Sequence, residues 1–340
     1  MSHTEGLWED LRGKRLFITG GTGFFGSWLL ESFAWANHRL NLDSSALVLT
    51  RNSEGFKRKM PHLAADTSIQ FHTGDIRDFT FPEGEFPYII HAAATSALAT
   101  FNNEDPLIKF DTVVQGTRHT LDFAVHCHAQ KFLYTSSGAV YGRQPSDVTH
   151  VSEDYRGAPD PADPNSAWGE SKRAAEFHCT YYSVRHGIET KIARCFSFVG
   201  PYLPLNIHYA IGNFMRDGLR GGPIVVRGDG TPYRSYLYGA DLMIWLWTIL
   251  FRGESCRPYN VGSEEDITIG ELARTVARSF QKLTEVKILK SPDPVRSADR
   301  YVPSTKRAQR ELGVKQIVDI RSSIERTLAH IRDCEILYFG

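Results

Sequence analysis

The chain has 340 residues, 41% of them hydrophobic, and its 39 basic residues balance its 39 acidic residues. This length is ample for a buried core, while the zero net charge argues against a nucleic-acid partner, because nucleic-acid-binding proteins usually carry a basic excess. The most apolar run, residues 242–251, is about half of the ~20 residues that a membrane-spanning helix needs, so a buried helix is predicted there and no membrane partner is expected.

Short apolar runs alternate with longer amphipathic stretches along the first two thirds of the chain. The pattern predicts strands at residues 15–19, 46–50, 69–72, 88–91, 131–135 and 190–193, and helices at residues 27–37, 106–126 and 168–185. Strands that alternate with helices of this length form parallel βαβ units. The expected fold is therefore α/β, a Rossmann-type doubly wound parallel sheet.

Three glycines, Gly20, Gly23 and Gly26, lie between the first predicted strand and the first predicted helix. In a dinucleotide-binding turn one glycine makes the tight bend, one lets the backbone approach a pyrophosphate, and one lets helix and strand pack closely. The helix N-terminus then offers free N–H groups to the phosphates. The turn predicts a bound NAD(P), and its cofactor-binding residues are Gly20, Thr22, Gly23, Phe24, Phe25 and Gly26.

The end of the second strand bears on the choice between NAD and NADP. A carboxylate at this position binds the ribose 2′-hydroxyl of NAD, whereas an arginine accommodates the 2′-phosphate of NADP. Here the strand is followed by Arg51 and no carboxylate. The sequence therefore favours NADP, with Arg51 in the cofactor site, although a solvated basic loop is the competing interpretation.

After about residue 198, prolines and glycines break the chain into short pieces. Residues 1–198 are predicted to form the dinucleotide-binding Rossmann domain. Residues 199–340 are predicted to form mainly a smaller substrate-binding region, with some chain returning to the main sheet. The five cysteines have no CxxC spacing and the thirteen histidines no HExxH motif, so no metal is expected and a cytoplasmic location fits best.

Seven motifs follow one another in a fixed order. They are TGGTGFFG (19–26), GDIRD (74–78), HAAA (91–94), TSSGAVYG (135–142), SKRAAE (171–176), GDGTPYRSYLYGADL (228–242) and YNVGS (259–263). With these motifs the chain resembles the NAD-dependent epimerase/dehydratase family of extended short-chain dehydrogenases, over roughly residues 14–315. The resemblance implies a nucleotide-diphosphate sugar as substrate, a tightly held NAD(P) and a homodimer.

The resemblance also implies roles for individual residues. Asp75 and Ile76 would flank the adenine, and Ala92, Ala93 and Ala94 would line the dinucleotide groove. Ser137 would bind the reacting sugar hydroxyl, and Lys172 the nicotinamide ribose. The substrate-binding residues are Ser137, Ser197, Arg234 and Arg300. A guanidinium suits phosphate oxygens, so each arginine would hold the diphosphate, with a surface ion pair as the alternative.

The chain departs from the family at its Tyr-x-x-x-Lys signature, which reads Trp168-Gly-Glu-Ser-Lys172. An indole only donates a hydrogen bond and cannot serve as a base. Three interpretations remain open: another base acts, redox chemistry has been lost, or the substitution occurs in an otherwise ordinary enzyme. The predicted catalytic set is Ser137, Lys172 and Trp168, and the alternative bases are Tyr141, Tyr155, Tyr202, Lys172 and His208.

Two further departures concern the substrate. Dehydratases of the family carry an Asp-Glu pair before the VYG tripeptide, as acid and base for the elimination, whereas this chain has Gly138-Ala139. Ser197 replaces an asparagine that relatives usually have. The predicted function is a nucleotide-sugar epimerase-like oxidoreductase that oxidises and re-reduces a sugar carbon. The alternatives are a 4,6-dehydratase or reductase on the same substrates, and a catalytically silent NAD(P)/sugar-nucleotide-binding protein.

Overall fold

A computed structural model describes residues 4, 6–95, 102–207, 209–280, 284–295 and 297–334. The candidate base His208 lies outside these residues. The main sheet comprises β1 Arg15–Thr19, β2 Ser45–Thr50, β3 Ile69–Thr73, β4 Tyr88–His91, β5 Lys131–Ser137, β6 Glu189–Cys195 and β11 Pro258–Val261. The helices are α1 Phe24–Leu40, α2 Ser53–Lys59, α3 Pro61–Ala64, α4 Pro106–His126, α5 Ala167–His186, α6 Ala210–Leu219, α7 Gly239–Arg252, α8 Ile269–Arg278, α9 Lys306–Leu312 and α10 Ile320–Asp333.

The strands of the main sheet run parallel in the order β11-β6-β5-β4-β1-β2-β3. The order reverses direction between β1 and β4, and in sheets of this kind a ligand binds in the crevice at the carboxyl ends of the strands there. Strands buried on both faces are continuously apolar, as Leu16, Phe17 and Ile18 are. The predicted α/β Rossmann fold is confirmed.

Helices cover both faces of this sheet. On one face α1 and α7 share a core that includes Phe33, Trp245 and Trp247. On the other face α4 and α5 share a core that includes Phe123 and Cys179. The apolar run at residues 242–251 is thus the buried helix α7, as predicted. Among the described residues, no helix combines the length and the apolar character that a membrane span requires.

The chain after residue 198 contributes to two parts of the fold. β11 and α7 join the main sheet and its helical layer, while the rest forms short sheets with a third core between α6, α8 and α10. The short strands are β7 Phe198–Val199, β8 Ile224–Val226, β9 Tyr233–Ser235, β10 Leu237–Tyr238, β12 Asp266–Thr268, β13 Val286–Ile288 and β14 Arg300–Tyr301. β9 lies between β12 and β14 and brings this region to the carboxyl end of β5.

Candidate active site

The three glycines of the turn after β1 have three different surroundings. Gly20 has φ +73°, and a Cβ there would lie 2.6 Å from the carbonyl carbon of Ala92. A Cβ on Gly26 would lie 2.2 Å from the backbone of Gly21, so that α1 packs directly on the turn. A Cβ on Gly23, by contrast, would make only an ordinary contact, 3.6 Å from Gly20 O, and Gly23 is the N-cap of α1 without a side-chain cap. Its position leaves the N–H groups of the first turn accessible to a ligand.

The residues at this turn fit a dinucleotide pyrophosphate. The hydroxyl of Ser27 in the first turns of α1 is fully buried and has no hydrogen-bond partner among the described residues. Buried polar atoms are almost always paired, so a ligand or an ordered solvent molecule is expected beside it. Thr22, Phe24 and Phe25 surround the same turn and are partly exposed. The predicted cofactor site is therefore suited to an anionic group at the N-terminus of α1.

The predicted adenosine end of the groove lies at the loops after β2 and β3. Arg51 is exposed directly after β2, and the side chain of Asn52 accepts a hydrogen bond from Gly55 N, which caps α2. The Arg77 guanidinium, 2.8 Å from Asp75, holds the pKa of that carboxyl below its usual range. The Ile76 side chain packs against Gly116, where a Cβ would lie 2.9 Å away.

The loop after β4 forms the opposite wall of the groove. Ala92, Ala93 and Ala94 are partly exposed there. Beneath them His91 bonds Thr19 through Nδ1 (2.7 Å) and Thr117 through Nε2 (3.0 Å). Burial lowers the pKa of His91 to about 3, so that the ring is neutral at physiological pH. This histidine supports the groove and is not available as an acid or a base.

The three predicted catalytic residues lie together at the carboxyl end of β5. Ser137 Oγ accepts hydrogen bonds from Ala139 N at 3.2 Å and from Trp168 Nε1 at 3.3 Å. Lys172, one turn after Trp168 on α5, has its Nζ 4.9 Å from the centre of the Trp168 ring. This Nζ donates to the carbonyl oxygen of Thr135 at 2.7 Å. Burial lowers the pKa of Lys172 to about 8.

Behind this site, residues of three sequence motifs and Arg194 on β6 form one hydrogen-bonded network. The Glu176 carboxylate accepts from Ser136 Oγ at 2.5 Å and from two nitrogens of Arg194, at 2.9 and 2.7 Å. Arg194 also donates to the Tyr141 hydroxyl at 3.0 Å, which in turn donates to Asn260 Oδ1 at 2.7 Å. A fully paired buried network of this kind holds β5, β6 and β11 in register with α5.

Of the alternative bases, Lys172 lies in this cluster, whereas the three tyrosines lie elsewhere. The Tyr141 hydroxyl is held between Arg194 and Asn260, and its pKa is raised by burial. The Tyr202 hydroxyl donates to Glu31 on α1 at 2.7 Å. Tyr155 packs against the Tyr141 ring rather than against Ser137. Of the tyrosines proposed from the sequence, none of the three contacts Ser137 in the described part of the chain.

A tyrosine that sequence reasoning missed does contact it. The hydroxyl of Tyr301 on β14 lies 3.4 Å from Ser137 Oγ, and its ring stacks on Phe196 with centroids 4.7 Å apart. A lone tyrosine after Arg300 belongs to no recognisable motif. The one available signal in the sequence was its position directly after Arg300, a predicted substrate-binding residue. Arg234 lies opposite Tyr301 in the pairing of β9 and β14.

The two arginines predicted to hold a diphosphate lie on adjacent strands, at register positions one residue apart. Successive side chains of a strand point to opposite faces of a sheet, so Arg234 and Tyr301 share one face and Arg300 lies on the other. There Arg300 binds Asp266 at 2.6 Å and covers the Tyr233 ring at 3.9 Å. For Ser197 the described contact is its carbonyl oxygen, which accepts from Leu237 N. The diphosphate roles of these residues stay predictions.

Enzymes that act on nucleotide-linked sugars resemble this chain over most of its length. The chain is 27% identical to UDP-glucuronic acid decarboxylase 1 of Danio rerio, over 93% of this chain and 72% of that protein. It is 28% identical to UDP-glucuronic acid decarboxylase 6 of Arabidopsis thaliana, over 91% and 86%.

Two solved structures share the fold. One is the dTDP-glucose 4,6-dehydratase DesIV of Streptomyces venezuelae with NAD bound, with a TM-score of 0.79, 24% identity and coverage of 96% of this chain and 99% of that one. The other is the UDP-glucuronic acid 4-epimerase of Bacillus cereus with UDP-glucuronic acid and NAD, with a TM-score of 0.77, 21% identity and coverage of 94% and 99%. The model of the NAD dependent epimerase/dehydratase family matches residues 16–262. The chain therefore belongs to this family of extended short-chain dehydrogenases/reductases.

Proposed function

We propose that this protein is an NAD(P)-dependent oxidoreductase that oxidises one carbon of a nucleotide-linked sugar and then reduces it again, as in epimerisation. The observation that carries the proposal is the cluster of Ser137, Lys172 and Trp168 on the same sheet edge as the glycine turn. The bound nicotinamide would supply the two-electron acceptor and donor. Ser137 orients the sugar hydroxyl, Lys172 holds the ribose, and Trp168 shapes the sugar pocket.

The segment after β5 favours epimerisation over elimination of water. Gly138 and Ala139 open a short 3-10 helix that Ser137 caps, and they bring no carboxylate to this position. Elimination needs an acid and a base there. Epimerisation instead needs oxidation of the sugar carbon, presentation of the opposite face of the ketone to the nicotinamide, and reduction. A dehydratase remains the alternative within the family, and a reductase would need a cofactor that leaves after each turnover.

A second candidate reaction is decarboxylation of a nucleotide-linked uronic acid. The observation that favours it is the similarity to UDP-glucuronic acid decarboxylases over more than nine tenths of the chain. Oxidation at C4 of a glucuronic acid produces a β-keto acid, which loses carbon dioxide without a further carboxylate from the protein. The first chemical step and the residues that serve it are the same as in the epimerase.

The test is to offer the protein NAD⁺ and NADP⁺ with UDP-glucose, UDP-glucuronic acid and dTDP-glucose, and to follow nicotinamide absorbance and product mass. An isomer of unchanged mass supports the epimerase, loss of carbon dioxide the decarboxylase, and loss of water the dehydratase. Binding of both ligands with neither absorbance change nor product would contradict the proposal and establish a silent binding protein.

The cofactor preference is proposed to be NADP, on the basis of Arg51. This guanidinium is exposed directly after β2, and Asp75, the carboxylate nearby, is already paired with Arg77. We expect Arg51→Asp to lower the preference for NADP over NAD by about tenfold or more, the value of one charge-assisted contact of ~1.4 kcal/mol. The measurement is the Kd of each dinucleotide. The control is Arg39→Asp, because Arg39 lies in the last turn of α1, at the end of the helix away from the glycine turn. A wild type that prefers NAD would contradict the proposal.

We also propose that the protein is a homodimer through α5. Phe177, Tyr181 and Val184 lie on one face of this helix, at spacings of four and three residues, and Val184 is 84% exposed. An exposed apolar stripe of this kind suits a twofold interface, in which the same face of both subunits is buried. We expect the double variant Phe177→Glu, Val184→Glu to be monomeric by light scattering. Trp35→Glu, an exposed aromatic on α1, is the control, and an unchanged mass of the double variant would exclude this interface.

A further inference from the structure

The hydrogen bonds that Ser137 accepts determine where its own hydroxyl proton points. A hydroxyl has one proton and two lone pairs. Ser137 Oγ accepts from the backbone N–H of Ala139 at 3.2 Å and from the indole N–H of Trp168 at 3.3 Å, and both of these groups can only donate. Its lone pairs are therefore both occupied. The hydroxyl must donate, and the oxygen that lies within reach is the Tyr301 phenol at 3.4 Å.

Burial raises the pKa of the Tyr301 phenol, and several neighbouring groups oppose that rise. Its oxygen receives the proton of Ser137, and the backbone of Gly138 also lowers the pKa of this phenol. Arg234, its cross-strand neighbour on the same face, adds a positive charge. The ring is held against Phe196. A hydroxyl donor at the phenol oxygen and a cation on the same face resemble the surroundings of a proton acceptor rather than those of a structural tyrosine.

We propose that Tyr301 is the catalytic acid and base of this enzyme, in place of the phenol that Trp168 has removed from α5. The inference rests on the proposed function. In the oxidation, the hydroxyl proton of the sugar would pass to the Tyr301 phenolate as the C–H bond of the sugar carbon breaks, and a bound oxidised nicotinamide would accept that hydrogen with its electron pair, as hydride. The products are the ketone, the reduced dinucleotide and the neutral phenol. The reverse transfer from Tyr301 and the reduced dinucleotide regenerates the alcohol.

In this arrangement Trp168 has a positioning role. Its indole N–H occupies a lone pair of Ser137 that a sugar hydroxyl would otherwise fill, and so turns the serine proton towards Tyr301 or the sugar oxygen. Lys172 Nζ is held by the carbonyl oxygen of Thr135 and lies 4.9 Å from the centre of the Trp168 ring. The proton acceptor has thus moved from α5 to β14, while the serine keeps its place at the end of β5.

A pH dependence follows from the surroundings of the phenol. Burial raises the pKa of Tyr301 to about 12, and Cys195 on β6 raises it further, against the lowering effects of Ser137, Arg234 and Gly138. The phenol is therefore protonated near neutral pH, and the phenolate fraction grows about tenfold per pH unit below the pKa. We therefore expect the rate of sugar oxidation to rise about tenfold per pH unit. A variant without the phenol should lose this dependence of the rate on pH.

The test compares Tyr301→Phe with the wild type and with Tyr88→Phe, which removes a phenol from the far end of β4. The readouts are the Kd of the dinucleotide and of UDP-glucuronic acid, and the single-turnover change in nicotinamide absorbance from about pH 6 to about pH 10. We expect Tyr301→Phe to bind both ligands as the wild type does, to lose about a hundredfold or more in rate, and to lose the slope. The double variant Trp168→Tyr, Tyr301→Phe should recover at least about tenfold of that rate, because it returns a phenol to α5.

Two results would overturn the inference, and they are distinguishable. Tyr301→Phe with the rate and pH slope of the wild type would remove the role of Tyr301 and leave the proposed function standing. A wild type that binds dinucleotide and sugar nucleotide but never changes the nicotinamide absorbance, with any of the three sugars above, would overturn both.

Discussion

Replacing Lys172 with methionine is expected to reduce sugar oxidation by about a hundredfold or more, the usual loss when a preorganised charge is removed from an active site. The Nζ is buried, donates to Thr135 O and lies 4.7 and 4.9 Å from the Tyr134 and Trp168 rings. A methionine side chain fills the same apolar space without the charge. The measurement is the single-turnover change in nicotinamide absorbance, together with the dinucleotide Kd, which should rise because methionine cannot donate a hydrogen bond to the ribose.

Lys191 provides a matched control for this variant. It is a second buried lysine that binds a carbonyl oxygen, that of Gly253, at 2.7 Å. It lies four residues before the end of β6, on a strand that rises ~3.3 Å per residue, and so well away from Ser137. Lys191→Met should lower the free energy of unfolding and keep the rate. Equal loss of rate in both variants would mean that the loss reflects the fold and not the site.

The lowered pKa of Lys172 also makes a prediction about stability. Burial disfavours the ammonium in the folded state, so the cost of burying the charge is present below about pH 8. It is relieved as the pH rises from about 8 towards the ordinary lysine pKa of 10.5, because the unfolded chain then binds more protons than the folded chain. The free energy of unfolding of the wild type should rise across this range relative to Lys172→Met. A parallel dependence in both proteins would show that Lys172 does not titrate there.

The second large effect is expected for Gly20→Ala. Gly20 has φ +73°, and a Cβ would lie 2.6 Å from the backbone of Ala92 and Ala93. Gly187, the C-cap of α5, has the same φ of +73° and nothing within 4 Å of a Cβ. Gly187→Ala should therefore show only the backbone penalty of roughly 1–2 kcal/mol. Gly20→Ala should lose a further ~1–3 kcal/mol from the steric conflict.

Dinucleotide binding separates these two variants further. The wall of Ala92 and Ala93 must shift to admit the Cβ at Gly20, and that wall belongs to the predicted cofactor groove. Affinity for the dinucleotide should fall about tenfold for each ~1.4 kcal/mol by which the shift weakens binding, whereas Gly187→Ala should bind normally. Calorimetric unfolding and fluorescence titration measure the two effects. Equal stability and affinity in both variants would refute the close approach of the turn to β4.

The local pattern of the sequence was sufficient for the elements of the first two thirds. β1 and β4 have the predicted bounds, and α4 spans residues 106–126 as expected. These segments are predictable because burial on both faces requires continuous apolar runs, and helices require a 3.6-residue period. β5 extends beyond its predicted end at residue 135 to Ser137, because pairing with β6 continues through Ser136 and Ser137 although their side chains are polar.

The family motifs likewise determined the glycine turn and the meeting of Ser137, Trp168 and Lys172, since β5 and α5 carry all three within one stretch of chain. What only the tertiary structure decided is the other side of the site. Tyr301 reaches Ser137 from 164 residues away, and Arg234 and Arg300 are separated by the alternation of β9 and β14. Such contacts depend on the pairing of short strands joined by long loops. That pairing is determined by packing across the whole molecule and produces no periodic hydrophobic pattern in the sequence.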